Sequence, residues 1–147
     1  MFVRAIDESA REQRGGQTSY PLLGKGDFGS ANLAITWVEC GPNSQQPLHS
    51  HPGAEQAYVI VRGRGEMIVG DEREQVGPGT MILIPPGTDH AIRTSDDTLV
   101  YVSATSPPFE PVDVGRWRLP ARRPSKSGNE RRIGPTRSRA CDDDAHG

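Results

Sequence analysis

From Leu33 onward, apolar and polar positions alternate in short bursts, and glycine or proline stops each burst. "NLAITWVECGP" is a β-rich run ended by Gly41-Pro42. "QAYVIVRGRGEMIVGDEREQVGPGTMILIPPG" carries strand-like runs at 57–62, 66–69 and 81–84, with Gly70-Asp71 as a tight hairpin turn. Gly77-Pro78-Gly79 and Pro85-Pro86-Gly87 interrupt the chain again. "HAIRTSDDTLVYVSA" adds two strands on either side of Ser95-Asp96-Asp97. A helical period is missing except over residues 7–14, where one or two turns are expected. Many short strands at regular spacing predict an all-β sandwich or barrel.

Composition refines the boundaries. Hydrophobic residues make up 33% of the 147-residue chain, but unevenly. Residues 121–147 contain Ile133 as their only large aliphatic side chain. Such a segment buries too little surface to offset its ordering entropy, and a disordered basic tail is predicted there. Residues 1–30 read as an N-terminal arm and first strands, 31–106 as the barrel core, and 107–120 as a proline-rich extended arm. The tail holds seven Lys/Arg against four Asp/Glu; the first 120 residues hold ten against fifteen. A mildly acidic domain argues against a nucleic-acid-binding face. The tail lacks interleaved aromatics and carries Asp142, Asp143 and Asp144 close behind its arginines. The N-terminus has no apolar stretch of the secretory kind, and no run approaches a membrane span. Cys40 and Cys141 are not expected to pair, so cytoplasmic placement is the expectation.

The chemistry gathers around the histidines. His49 and His51 are two apart, so on a strand both imidazoles share a face. His90 follows the Pro85-Pro86-Gly87 turn, and only the fourth histidine, His146, falls in the tail. Cys40 reads as a small buried hydrophobe, and Asp89 as a turn residue.

These residues resemble the two motifs of the cupin superfamily. In the second motif, Gly79 is followed at the expected spacing by Pro85, Gly87 and His90, with Thr94 where the pattern has asparagine. The first fits through His49, His51 and Gly63, with Gly41 two residues further upstream than the pattern asks. The resemblance, which covers roughly residues 33–105, implies a double-stranded β-helix, or jelly roll, with its ligands in the barrel mouth.

It also implies a fourth ligand, usually a glutamate, with six residues between it and the closing glycine. Counting back from Gly63 across a regular strand reaches Gln56; counting forward from His51 across a turn reaches Glu55. Adjacent strand residues face opposite sides, so Gln56 is the expected ligand and Glu55 its rival, placed outward or behind the ligands. Three imidazoles and an oxygen would hold one divalent transition metal: Fe(II), Mn(II), Ni(II), Co(II) or Zn(II).

Tyr58, two beyond Gln56, should share its face and is a candidate proton donor, with packing in the barrel as the alternative; Glu55 is a candidate base. Thr94, Ile92, Trp37 and Tyr101 are expected to line the pocket, and Met67 and Met81 to pack in the walls. The resemblance implies a metal-dependent oxidoreductase of the dioxygenase kind acting on a small oxygenated organic substrate. The alternatives are a sugar or uronate isomerase or lyase, or a non-catalytic ligand-binding module. Small cupins also pair as homodimers, which the resemblance carries over as an expectation.

Overall fold

A computed structural model describes residues 1–108, so the predicted tail and most of the predicted arm lie outside the described residues. Nine strands follow in order: β1 (Glu12–Arg14), β2 (Gln17–Leu23), β3 (Ala34–Cys40), β4 (Glu55–Arg62), β5 (Gly65–Val69), β6 (Glu72–Val76), β7 (Met81–Ile84), β8 (His90–Arg93) and β9 (Leu99–Ser106). Where one or two helical turns were expected over 7–14, the chain makes a 3-10 turn at Ile6–Glu8 and then enters β1. The polar run "EQR" is paired to β2 in a hairpin, and the ladder overrides the weak local helical preference.

The strands form two antiparallel sheets, one ordered β1-β2-β3-β9-β4-β7 and the other β6-β5-β8. Together they make the jelly roll. The Gly70-Asp71 turn joins β5 to β6, with Val69 opposite Glu72 and Gly70 at a φ of 56°. Gly63 serves the corner where the chain leaves the larger sheet for the smaller one. Its φ is 79°, and a Cβ there would overlap the Thr98 carbonyl oxygen, so only glycine fits.

Alternation along β4 decides what faces inward. Gln56, Tyr58 and Ile60 are buried, whereas Glu55, Val59 and Val61 are exposed. The inward side chains meet Val38 and Cys40 of β3, Leu99 and Tyr101 of β9, and Met67 and Ile92 of the smaller sheet. Burying each large apolar side chain of this core contributes about 1.5–3 kcal/mol. Met81, expected in a wall, instead joins Leu83, Val59 and Val61 on the outer surface. On the four-residue strand β7, Ile84 holds the inward position and period two turns Met81 and Leu83 outward. Among the described residues, no helix is long and apolar enough to cross a membrane.

Candidate metal centre

The chain before β4 is drawn onto the smaller sheet as an irregular extra strand. Gln45 bridges Arg93 and His49 bridges His90, so four steps on one side oppose three on the other. The surplus residue falls at Pro47-Leu48, a bulge suited to proline because no ladder N–H is required of it. His49 and His90 exchange both backbone hydrogen bonds, His49 N–H to His90 O at 3.1 Å and His90 N–H to His49 O at 2.8 Å. Gly87 N–H donates to the His51 carbonyl at 2.9 Å and ties the second turn to the first motif.

This backbone arrangement collects all three imidazoles in one place. Ring centroids lie 4.2 Å apart for His49–His90, 5.0 Å for His49–His51 and 5.4 Å for His51–His90. Their candidate ligand atoms fall within 4.8 Å of one another, and all three residues are buried. Two ~2.1 Å metal–nitrogen bonds span at most about 4.2 Å, so small ring rotations close the set around one ion. His49 Nδ1 lies 2.9 Å from Pro47 O, and His90 Nδ1 lies 2.9 Å from Thr88 O. A carbonyl accepts only from an N–H, so both rings carry their proton on Nδ1 and present an Nε2 lone pair. His90 Nε2 is buried and has no hydrogen-bond partner among the described residues.

Burial also keeps the cluster neutral. Desolvation, reinforced by the neighbouring His49, lowers His51 to about 4 and His90 to about 3. Desolvation likewise lowers His49, against smaller opposing contributions from its hydrogen bond to Pro47 and from Asp89.

Gln56 adds an oxygen. It is 5% exposed, its Nε2 donates to Thr105 Oγ1 at 3.0 Å, and its Oε1 is buried without a partner among the described residues. Glu55, the rival ligand and candidate base, is exposed on the opposite side of β4 and does not line the cavity. Outward is the place expected of the rival ligand, and alternation at this end of β4 keeps the candidate base away from the cavity. Buried neutral acceptors converging from two motifs suit a divalent cation of the transition series.

A cavity of about 400 Å³ opens over the cluster, with Gln46, Gln56, Tyr58, Tyr101, Ser103 and Thr105 among its lining. Tyr58 stacks on Tyr101 with centroids 4.5 Å apart and meets His90 edge-on at 6.1 Å. Desolvation pushes the Tyr58 phenol up to about 12, although hydrogen bonds with Gln46 and Tyr101 act in the opposite direction. Tyr101 is raised as well, chiefly by burial.

The other three expected lining residues are elsewhere. Trp37 occupies an outward position of β3, where its indole N–H donates to Glu39 at 3.1 Å. Ile92 is core. Thr94 Oγ1 donates to Gly41 O at 2.6 Å and accepts from Ser44 N–H at 3.0 Å. It latches the chain that leads into His49 rather than facing the cavity. Cys40 is buried and its thiol is pushed up to about 11 by desolvation.

Sequence reasoning missed Gln46, Thr105 and the contribution of β2. Period two from Tyr101 would have found Ser103 and Thr105. Gln46 was hidden by the bulge, which breaks strict alternation between it and His49.

The family profile described as Cupin domain (Cupin_2) matches residues 36–105. Dimethylsulfoniopropionate lyase DddQ of Ruegeria pomeroyi is 38% identical over 79 residues, which are 52% of this chain and 39% of DddQ. This chain therefore matches well under half the length of that relative. The DddQ crystal structure superposes with a TM-score of 0.60 at 26% identity, covering 67% of this chain and 56% of that one. Uncharacterized protein MJ1618 of Methanocaldococcus jannaschii is 35% identical over 96 residues, 65% of this chain and 74% of the other. The polyketide cyclase RemF of Streptomyces resistomycificus superposes with a TM-score of 0.64 at 24% identity, covering 72% of this chain and 79% of RemF, a likeness of fold.

Proposed function

The chain belongs to the cupin family, and from that premise we propose that it is a metal-dependent enzyme of the lyase or isomerase kind, acting on a small oxygenated anion. The observation that carries this reading is the neutral donor set among the described residues: three imidazoles held neutral by burial and one amide oxygen, with no carboxylate among them. When bound, a divalent ion would keep its charge uncompensated by ligands and supply Lewis-acid polarisation to a substrate carboxylate or carbonyl.

The residues of the chain would do the rest. His49, His51, His90 and Gln56 hold the ion. Arg14 and Lys25 stand with Glu12 at the cavity rim, two cations against one anion, which suits a negatively charged guest. Tyr58, protonated at neutral pH, offers its O–H to an oxygen that gains negative charge as a bond breaks. The likeness to a dimethylsulfoniopropionate lyase favours elimination within this class. Pairing of two copies would use the exposed apolar surface of Val59, Val61, Met81 and Leu83.

Elemental analysis of protein purified without chelator, followed by NMR assay of the loaded protein, tests the reading. The substrates are dimethylsulfoniopropionate, unsaturated uronates and hydroxy acids, with an oxygen electrode run in parallel. Stoichiometric metal and product formed without oxygen uptake support it. A protein that binds no metal, or turnover that consumes oxygen as a dioxygenase would, overturns it.

A further inference from the structure

Gln46 is a buried polar group in the cavity wall that the metal centre leaves unused. It is 9% exposed, and its Oε1 is buried without a hydrogen-bond partner among the described residues. It is not loosely placed. Its backbone N–H donates to Ile92 O at 2.9 Å, and the bulge at Pro47-Leu48 turns its side chain into the same cavity as His49. Its side chain shares the cavity wall with Tyr58 and acts to lower that phenol's pKa, against the larger effect of burial. The carbonyl end is thus a buried acceptor without a partner among the described residues. A buried acceptor costs free energy until a donor reaches it, so a residue held this firmly selects for a guest that brings one.

We infer that Gln46 is a specificity-determining residue that accepts a hydrogen bond from a hydroxyl of the substrate, which makes the substrate class a small hydroxylated carboxylate. This rests on the reading of the histidine cluster as a metal centre. Gln46 and the ion would then read different parts of one molecule, the hydroxyl and the carboxylate. Selectivity of this type is strong because the guest lacking the hydroxyl leaves the amide oxygen dry.

The test uses the full 147-residue chain loaded with Co(II), titrated with butyrate, 3-hydroxybutyrate and 4-hydroxybutyrate. Binding is followed by the visible Co(II) spectrum and by calorimetry. The expectation is that one hydroxy acid binds the wild-type protein about tenfold more tightly than butyrate. Gln46→Met removes the acceptor, so the preference disappears while Co(II) affinity is unchanged. Gln46→Glu keeps an acceptor, and the preference persists. Should Gln46→Met fail to fold, Gln46→Glu carries the test, and loss of the preference there overturns the inference.

Equal binding of all three acids by the wild type, or a preference that survives Gln46→Met, overturns it too. Weakened Co(II) binding in Gln46→Met would assign the residue to the ion instead, and overturn it. Failure of the wild type to bind Co(II) sinks the underlying metal reading and this inference with it. Metal binding without hydroxyl selectivity sinks only the inference.

Discussion

Gln56 and Thr105 are opposite each other in the β4–β9 ladder, and the amide Nε2 of Gln56 donates to Thr105 Oγ1 across 3.0 Å. That bond engages the amide nitrogen and leaves Oε1 as the buried end without a partner among the described residues. Removing it should loosen the oxygen ligand without touching the imidazoles. Thr105→Val is expected to weaken metal binding by roughly tenfold, and Thr105→Ser to leave it within about twofold. Competition with a chromophoric chelator measures both. Equal affinity in all three proteins would show that the amide is not a ligand.

Charge at the same position is a second test. Gln56→Glu introduces a carboxylate beside the three imidazoles, and metal affinity should rise by about tenfold or more. The metal-free variant should lose stability, because the new carboxylate is then buried without a partner. Glu55→Gln, on the exposed side of the strand, should change stability by less than about 0.5 kcal/mol and leave metal affinity alone. Titration calorimetry and denaturant melts separate the two positions.

Acid should act on the metal-free protein through the histidines. Their folded pKa values are depressed below 6.5, to about 4 for His51 and about 3 for His90, with His49 lowered as well. The unfolded chain therefore binds more protons than the folded one in this window. The stability tied to the neutral rings is complete above about pH 6.5 and is lost as pH falls through the folded values. Melting temperature of the metal-free protein should decline steadily from pH 7 to pH 4. Metal affinity should fall far less between pH 7.5 and pH 5 than the more than about a hundredfold that ordinary imidazoles would lose.

Thr94 gives a prediction about folding rather than chemistry. Its hydroxyl accepts from Ser44 N–H and donates to Gly41 O, and the residue is 8% exposed. Thr94→Val keeps the shape and strands a buried N–H, for a loss of about 1–3 kcal/mol in chemical denaturation. Metal affinity should fall with it, since the latched segment carries His49.

The histidines and the inward Gln56 were legible through the motif spacing of the resemblance, which counts back from Gly63 to Gln56. Alternation over 55–60 then turns Gln56 inward, although the ladder with β9 shifts register between Ile60 and Arg62. The strand breaks were equally plain, since Gly63, Gly70 and Pro85-Pro86-Gly87 lie at real corners. What escaped was whatever depended on pairing between distant segments. Trp37 has the look of a pocket aromatic, but its facing follows from Val38 and Cys40 being the inward positions of β3. Gln46 reaches the cavity only through the extra residue that the Gln45–Arg93 and His49–His90 bridges reveal together. The role of β2 in the wall was invisible because its composition, "QTSYPLL", carries no chemical signature.

The reciprocal backbone bonds between residues 49 and 90 have a mechanical consequence. Two candidate ligands far apart in the sequence are zipped to each other by their backbones, so their main chains move together. Release of a cation would require that zipper to open locally, and the amides at these two positions are the natural clock for how fast the grip lets go.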